Sequence, residues 1–165
     1  MKKALSFLTA ALLSGAAFAH PHHDDLLPGA RDIPAQRPVA ERPHGQAGDR
    51  ASVSRTITLE MTGAARCTPG SITVKRGETV RLLARNSGRQ PQELAIGTAA
   101  ELKEQAQMLK KFPSMQVAAP DRARANPGDA AEIVWHFTRA GEFAFTCAPA
   151  GHHAPDGMGT LVVSP

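Results

Sequence analysis

The stretch Gly141 to Val163, GEFAFTCAPAGHHAPDGMGTLVV, decides how the chain is read. An alternating, aromatic-rich run, Glu142 to Thr146, leads into Cys147, and strand-forming residues resume at Thr160-Leu161-Val162-Val163. Two strands therefore flank one loop. In that loop four residues separate Cys147 from His152 and five more separate His152 from Met158, with His153 adjacent. A thiolate, an imidazole and a thioether form a soft donor set, which selects copper, above all Cu(I), over hard cations. Zinc suits it less, because protein zinc sites use Cys, His and carboxylates. The plainer reading is also open. Cys147 would then be a core cysteine or half of a disulfide, Met158 a packing residue, and His152 and His153 loop residues.

Working outward, period-two alternation recurs on both sides of this stretch. Ile133, Trp135 and Phe137 point one way and Glu132, Val134 and His136 the other, so His136 is expected at the surface. Upstream, Val53 to Met61 alternates in the same manner. Ser71–Lys75, Thr79–Arg85 and Gln92–Ile96 add three short strands, separated by Arg76-Gly77-Glu78 and Asn86-Ser87-Gly88 turns. Thr98 to Phe112 breaks the rhythm. Ala99, Leu102, Ala106 and Leu109 recur at helical spacing, Thr98 and Glu101 form a capping-box pair, and Pro113 stops the helix. Met108 and Met115 at its end are expected to pack on the domain rather than to bind Cu(I). Residues 118–129 read as a loop. About seven short strands with one inserted helix imply an all-β, antiparallel Greek-key β-sandwich.

The chain has 165 residues, enough for one domain with extensions. Residues 1–19 read as a signal peptide: Lys2 and Lys3, an apolar run to Ala17, and Ala17-Phe18-Ala19 as a small-x-small cleavage pattern. The expected product is exported to a bacterial periplasm, is not inserted in a membrane, and is monomeric. Residues 20–51 read as a mobile tail broken by five prolines. Its His20, His22 and His23 offer a second, looser metal capture point beside Asp24 and Asp25. Residues 52–165 form the expected domain. A formal net charge of +4, or +2 without Lys2 and Lys3, and the absence of tyrosine argue against nucleic acid.

Two cysteines, Cys67 and Cys147, occur in the chain. In an oxidising compartment they could be bridged; the loop setting of Cys147 favours the metal reading, with Cys67 a lone thiol.

From Ser52 to Val163 the chain resembles the cupredoxins, and among them periplasmic copper-tolerance cupredoxins with a His-rich leader. The resemblance rests on SITVKRGETV (71–80), NSG (86–88), ELAIG (93–97), AELKE (100–104) and GEFAFTC (141–147), in that order and spacing. It implies a copper site of an early His, a Cys, a late His and a Met. Cys147 matches the thiolate, Ala150-Gly151-His152 resembles Pro-Gly-His, and Met158 matches the axial ligand. Gln92 stands where the early His is expected, and the loop has one extra residue, so either His152 or His153 fits. An amide oxygen in place of an imidazole shifts preference further to Cu(I). The expected function is copper binding for tolerance or delivery, with a periplasmic copper or electron-transfer protein as the expected partner. One-electron transfer is the first alternative. A metal-free structural module, which a Cys67–Cys147 disulfide would support, is the second. No nucleophile–base pair suggests an enzyme.

Overall fold

A computed structural model describes residues 41–63, 65–112, 115, 118–150 and 157–165. Ten strands and one α-helix follow in order: β1 (Gln46–Ala47), β2 (Arg55–Met61), β3 (Cys67–Thr68), β4 (Ser71–Lys75), β5 (Thr79–Asn86), β6 (Gln92–Gly97), α1 (Ala99–Lys111), β7 (Arg122–Ala125), β8 (Ala130–His136), β9 (Gly141–Pro149) and β10 (Gly159–Ser164). They build two five-stranded sheets, β1-β8-β5-β2-β3 and β4-β10-β9-β6-β7. The expected β-sandwich with one inserted helix is borne out. Each sheet also holds one parallel pair, β2 with β5 and β4 with β10, a detail that alternation along single strands does not encode.

Alternation produces the layers. Leu59, Met61, Leu82, Ile133 and Trp135 of the first sheet face Leu94, Ile96, Phe145, Cys147 and Leu161 of the second in one core. The intervening residues Ala95 and Ala144 lie on the other face of the second sheet, where Leu102 of α1 covers them. The helix starts at the expected place. Thr98 Oγ1 accepts from the Glu101 amide at 3.2 Å, and the Thr98 amide donates to Glu101 Oε2 at 2.9 Å. Leu102, Ala106 and Leu109 are the buried stripe. Replacing Thr98 by Ala should destabilise the protein by about 1 kcal/mol, the usual worth of such a cap; urea unfolding measures it.

The expected tail boundary at residue 51 needs correction. Residues 41–51 pack on the sandwich: Gln46 and Ala47 pair with His136 and Trp135 of β8. Arg42 Nε lies 3.3 Å from Asp121 Oδ2, and Arg50 Nη2 2.7 Å from Glu132 Oε1. Gly45, at φ +124°, passes so close to β8 that a Cβ there would meet the His136 carbonyl oxygen at 2.1 Å. The physical reason is that the partners come from roughly 80 to 90 residues downstream, so local composition does not report them. The expected signal peptide, residues 1–19, and the expected tail over residues 20–40 lie outside the described residues.

The loop expected over 118–129 contains β7, another departure. Its sequence RARA alternates, but the apolar members are only alanines, Ala123 and Ala125, a weak strand signal. It pairs with β6 and is held by charge: Arg124 Nε lies 2.8 Å from Glu93 Oε2, and Arg122 Nη1 3.4 Å from Glu93 Oε1.

Candidate metal centre

The register of β6 on β9 sets the geometry. Leu94 is opposite Cys147 and Gln92 opposite Pro149. Gln92 and Cys147 are thus diagonal neighbours on the inner face of one sheet. Both are buried, at 1% and 0% exposure.

A polar network fixes the Gln92 amide. Asn86 Nδ2 donates to the carbonyls of Gln90 (2.8 Å) and Ala125 (3.0 Å), and Asn86 Oδ1 accepts from the Gly88 amide (2.9 Å). Gln92 Nε2 then donates to that same Oδ1 at 2.6 Å and to the Met61 carbonyl at 3.1 Å. Two acceptors face Nε2, so the amide orientation is determined by its partners. Gln92 Oε1 is the atom left over: buried and without a hydrogen-bond partner. Such orphaned acceptors are uncommon and mark a role beyond packing.

The cysteines take the disulfide alternative rather than the free-thiolate one in this structure. Cys67 of β3 and Cys147 of β9 are joined in a disulfide, with Cα atoms 5.5 Å apart. The physical reason is topological. β3 lies beside β2 at one end of the first sheet, Cys67 opposite Met61, and its side chain enters the core that Cys147 reaches from the second sheet. While this bond stands, Cys147 has no thiolate to give a metal. In this form the described residues do not make the donor set that the resemblance implies. Among the described residues no three His, Cys, Asp or Glu side chains gather as a metal cage.

The structure does not bring Met158 to this inner face. Met158 packs against Ala95, Leu102 and Ala144 on the helix-covered side. His152 and His153 lie outside the described residues, as do His20, His22 and His23. His136 is half-buried, its Nδ1 3.0 Å from Thr79 Oγ1. Met108 and Met115 line a cavity of about 290 Å³ under α1, together with Arg42, Glu101, Asp121 and Arg122.

One residue not singled out in the sequence is His44. It is 1% exposed and stacks on Trp135, with ring centroids 4.9 Å apart and planes 18° apart. Trp135 Nε1 donates to its carbonyl at 3.0 Å, and neither ring nitrogen has a partner. Burial lowers its pKa from 6.5; Asp121 and Glu101 oppose that shift and Arg42 adds to it. A depressed imidazole is neutral when folded but binds a proton when unfolded. Stability should therefore fall as pH drops through 6.5 towards the folded value. A His44→Phe protein keeps the stack and should lose less stability than the wild type between neutral and mildly acidic pH; melting temperatures across that range check it.

Comparisons with known proteins now bear on the site. No protein-family model matches the chain. Over 154 residues it is 42% identical to the copper-resistant cuproprotein CopI of Rubrivivax gelatinosus, covering 93% of this chain and 92% of that protein. A copper-resistant cuproprotein CopI of Pseudomonas aeruginosa is 30% identical over 155 residues, 74% of this chain and 85% of the relative. Among solved structures, auracyanin B aligns with TM-score 0.58 at 18% identity, covering 76% of this chain and 97% of that one. The reduced auracyanin of Roseiflexus castenholzii aligns with TM-score 0.54 at 19% identity, covering 68% and 99%. These neighbours share the cupredoxin fold. By its fold and by its identity to both relatives along most of its length, the chain belongs to the CopI family of copper-resistance cupredoxins.

Proposed function

We propose that the protein binds copper in an exported, periplasmic setting and serves copper resistance by holding or delivering the ion, without catalysing a reaction. What carries this reading is the unpartnered Gln92 Oε1 on one inner face with Cys147, in a chain so similar to copper-resistant cuproproteins. Copper is the cargo. In the dithiol form Cys147 supplies a thiolate, His152 or His153 an imidazole and Gln92 a weak amide oxygen; Met158, packed on the helix-covered side, would join them only if its loop shifts. The softness of this set favours Cu(I). His20, His22 and His23 would form a separate, looser capture point.

The test is a Cu(I) titration of the reduced protein against a competing chelator. A Cys147→Ala protein should lose affinity by more than about 100-fold, since partners one shell beyond a metal are already worth about 10- to 100-fold. Unchanged affinity would remove copper from this site. The disulfide favours a second reading, a metal-free structural module. That reading predicts no thiolate-bound copper even after full reduction.

A further inference from the structure

The proposed copper reading and the disulfide make opposite demands on Cys147: that reading needs its thiolate, and the bond to Cys67 consumes it. We infer that Cys67 is itself a copper ligand, so that reduced Cys67 and Cys147 clasp one Cu(I) between the two sheets, and closing the disulfide releases it. This deepens the copper reading above and rests on it.

Three observations support the assignment. First, the two Cα atoms are 5.5 Å apart. After reduction both sulfurs remain within reach of a single ion without a change of strand pairing. Second, the surroundings are those of a soft-metal site. Cys67 and Cys147 are 8% and 0% exposed in the apolar core, and Cys67 stands opposite the buried Met61. Thiolates and thioethers select Cu(I). Third, Gln92 Oε1 is buried, unpartnered and on the inner face that Cys147 shares. The position that would carry an imidazole holds only this weak donor. A second thiolate from the opposite sheet supplies the missing strong ligand.

The chemistry balances. A dithiol reductant delivers two electrons and two protons; the S–S bond breaks to two thiols and the reductant becomes a disulfide. Cu(I) then displaces the two thiol protons and forms two Cu–S bonds. A disulfide oxidant reverses this: it takes two electrons and, with two protons from solvent, becomes two thiols. The protein S–S bond re-forms and copper leaves still as Cu(I).

The experiment uses the full chain, reduced and freed of reductant or left oxidised, with Cu(I) titrated against a chelator. X-ray absorption counts sulfur neighbours. Reduced wild type should bind Cu(I) with two thiolate sulfurs. The oxidised protein, and reduced Cys67→Ser, should each bind more weakly by about 100-fold or more, since direct ligands exceed the 10- to 100-fold of outer partners. Cys67→Ser should also lose one sulfur neighbour. Reduced wild type, which lacks the bond too, is the folding reference for the variant by circular dichroism. Equal affinity of oxidised and reduced wild type would overturn the inference without any variant. Full affinity and unchanged sulfur count in Cys67→Ser, with loss in Cys147→Ser, would overturn Cys67 as a ligand while leaving copper at Cys147. Full affinity in both variants would sink the copper reading itself, and this inference with it.

Discussion

Reducing the Cys67–Cys147 bond is expected to lower the unfolding free energy by about 4 kcal/mol, because the bond closes a long loop in the unfolded chain. The two cysteines are 80 residues apart. On the chain-entropy account a cross-link of that span removes more freedom from the unfolded ensemble than a short one. It also joins two different sheets, so it constrains the sandwich as a whole rather than one hairpin. Urea unfolding of oxidised and reduced protein, followed by far-ultraviolet circular dichroism, measures the difference. A Cys67→Ala/Cys147→Ala protein should match the reduced wild type and be insensitive to reductant. A loss below about 1 kcal/mol on reduction, far under the usual range, would show that the bond contributes little to holding the sheets. Added Cu(I) should restore part of the loss in the reduced wild type, by mass action on the folded state.

A comparable effect is expected from Trp135→Ala, a loss of about 3–5 kcal/mol. Trp135 is fully buried on β8 and is the largest side chain of the core. Truncation leaves a cavity between the sheets, and neighbours fixed in strands relax into it only partly. It also removes the indole donor of the His44 carbonyl and the surface on which the His44 ring stacks. A carbonyl left without its donor adds its own cost. Trp135 is the chain's single tryptophan, so unfolding of both proteins is followed by circular dichroism rather than fluorescence. Trp135→Phe, which keeps the ring but not the donor, should lose clearly less. Equal losses in the two variants would assign the effect to the hydrogen bond and not to packing.

Much of the architecture was legible because it is written locally. Ile133, Trp135 and Phe137 alternate with Glu132, Val134 and His136 and are the ones buried. Thr98 and Glu101 announce the helix start, and the folded chain forms that cap. What escaped depends on distant partners. β7 is arginine-rich and is defined by Glu93 across the strand pair. Residues 41–51 look like tail by composition, yet they are secured by Trp135, Asp121 and Glu132. The parallel pairs depend on sheet order, which no single strand reveals. At the site, Gln92 was picked out by its position before Glu93-Leu94, but its orphaned oxygen follows from Asn86 and Met61, which only the folded chain brings to it. Two cysteines in a sequence do not say whether they pair.

The outermost strands of the sandwich have a consequence for life at high protein concentration. Of the four edge strands among the described residues, β1 and β3 are two residues long, β7 is four and β4 is five. Each leaves only a few backbone amides and carbonyls facing outward, too few to template a neighbouring molecule by strand addition, which is how proteins rich in β-structure polymerise. The short segment before the sandwich, laid along β8, thereby acts as a guard against fibre growth as well as a clamp on Trp135.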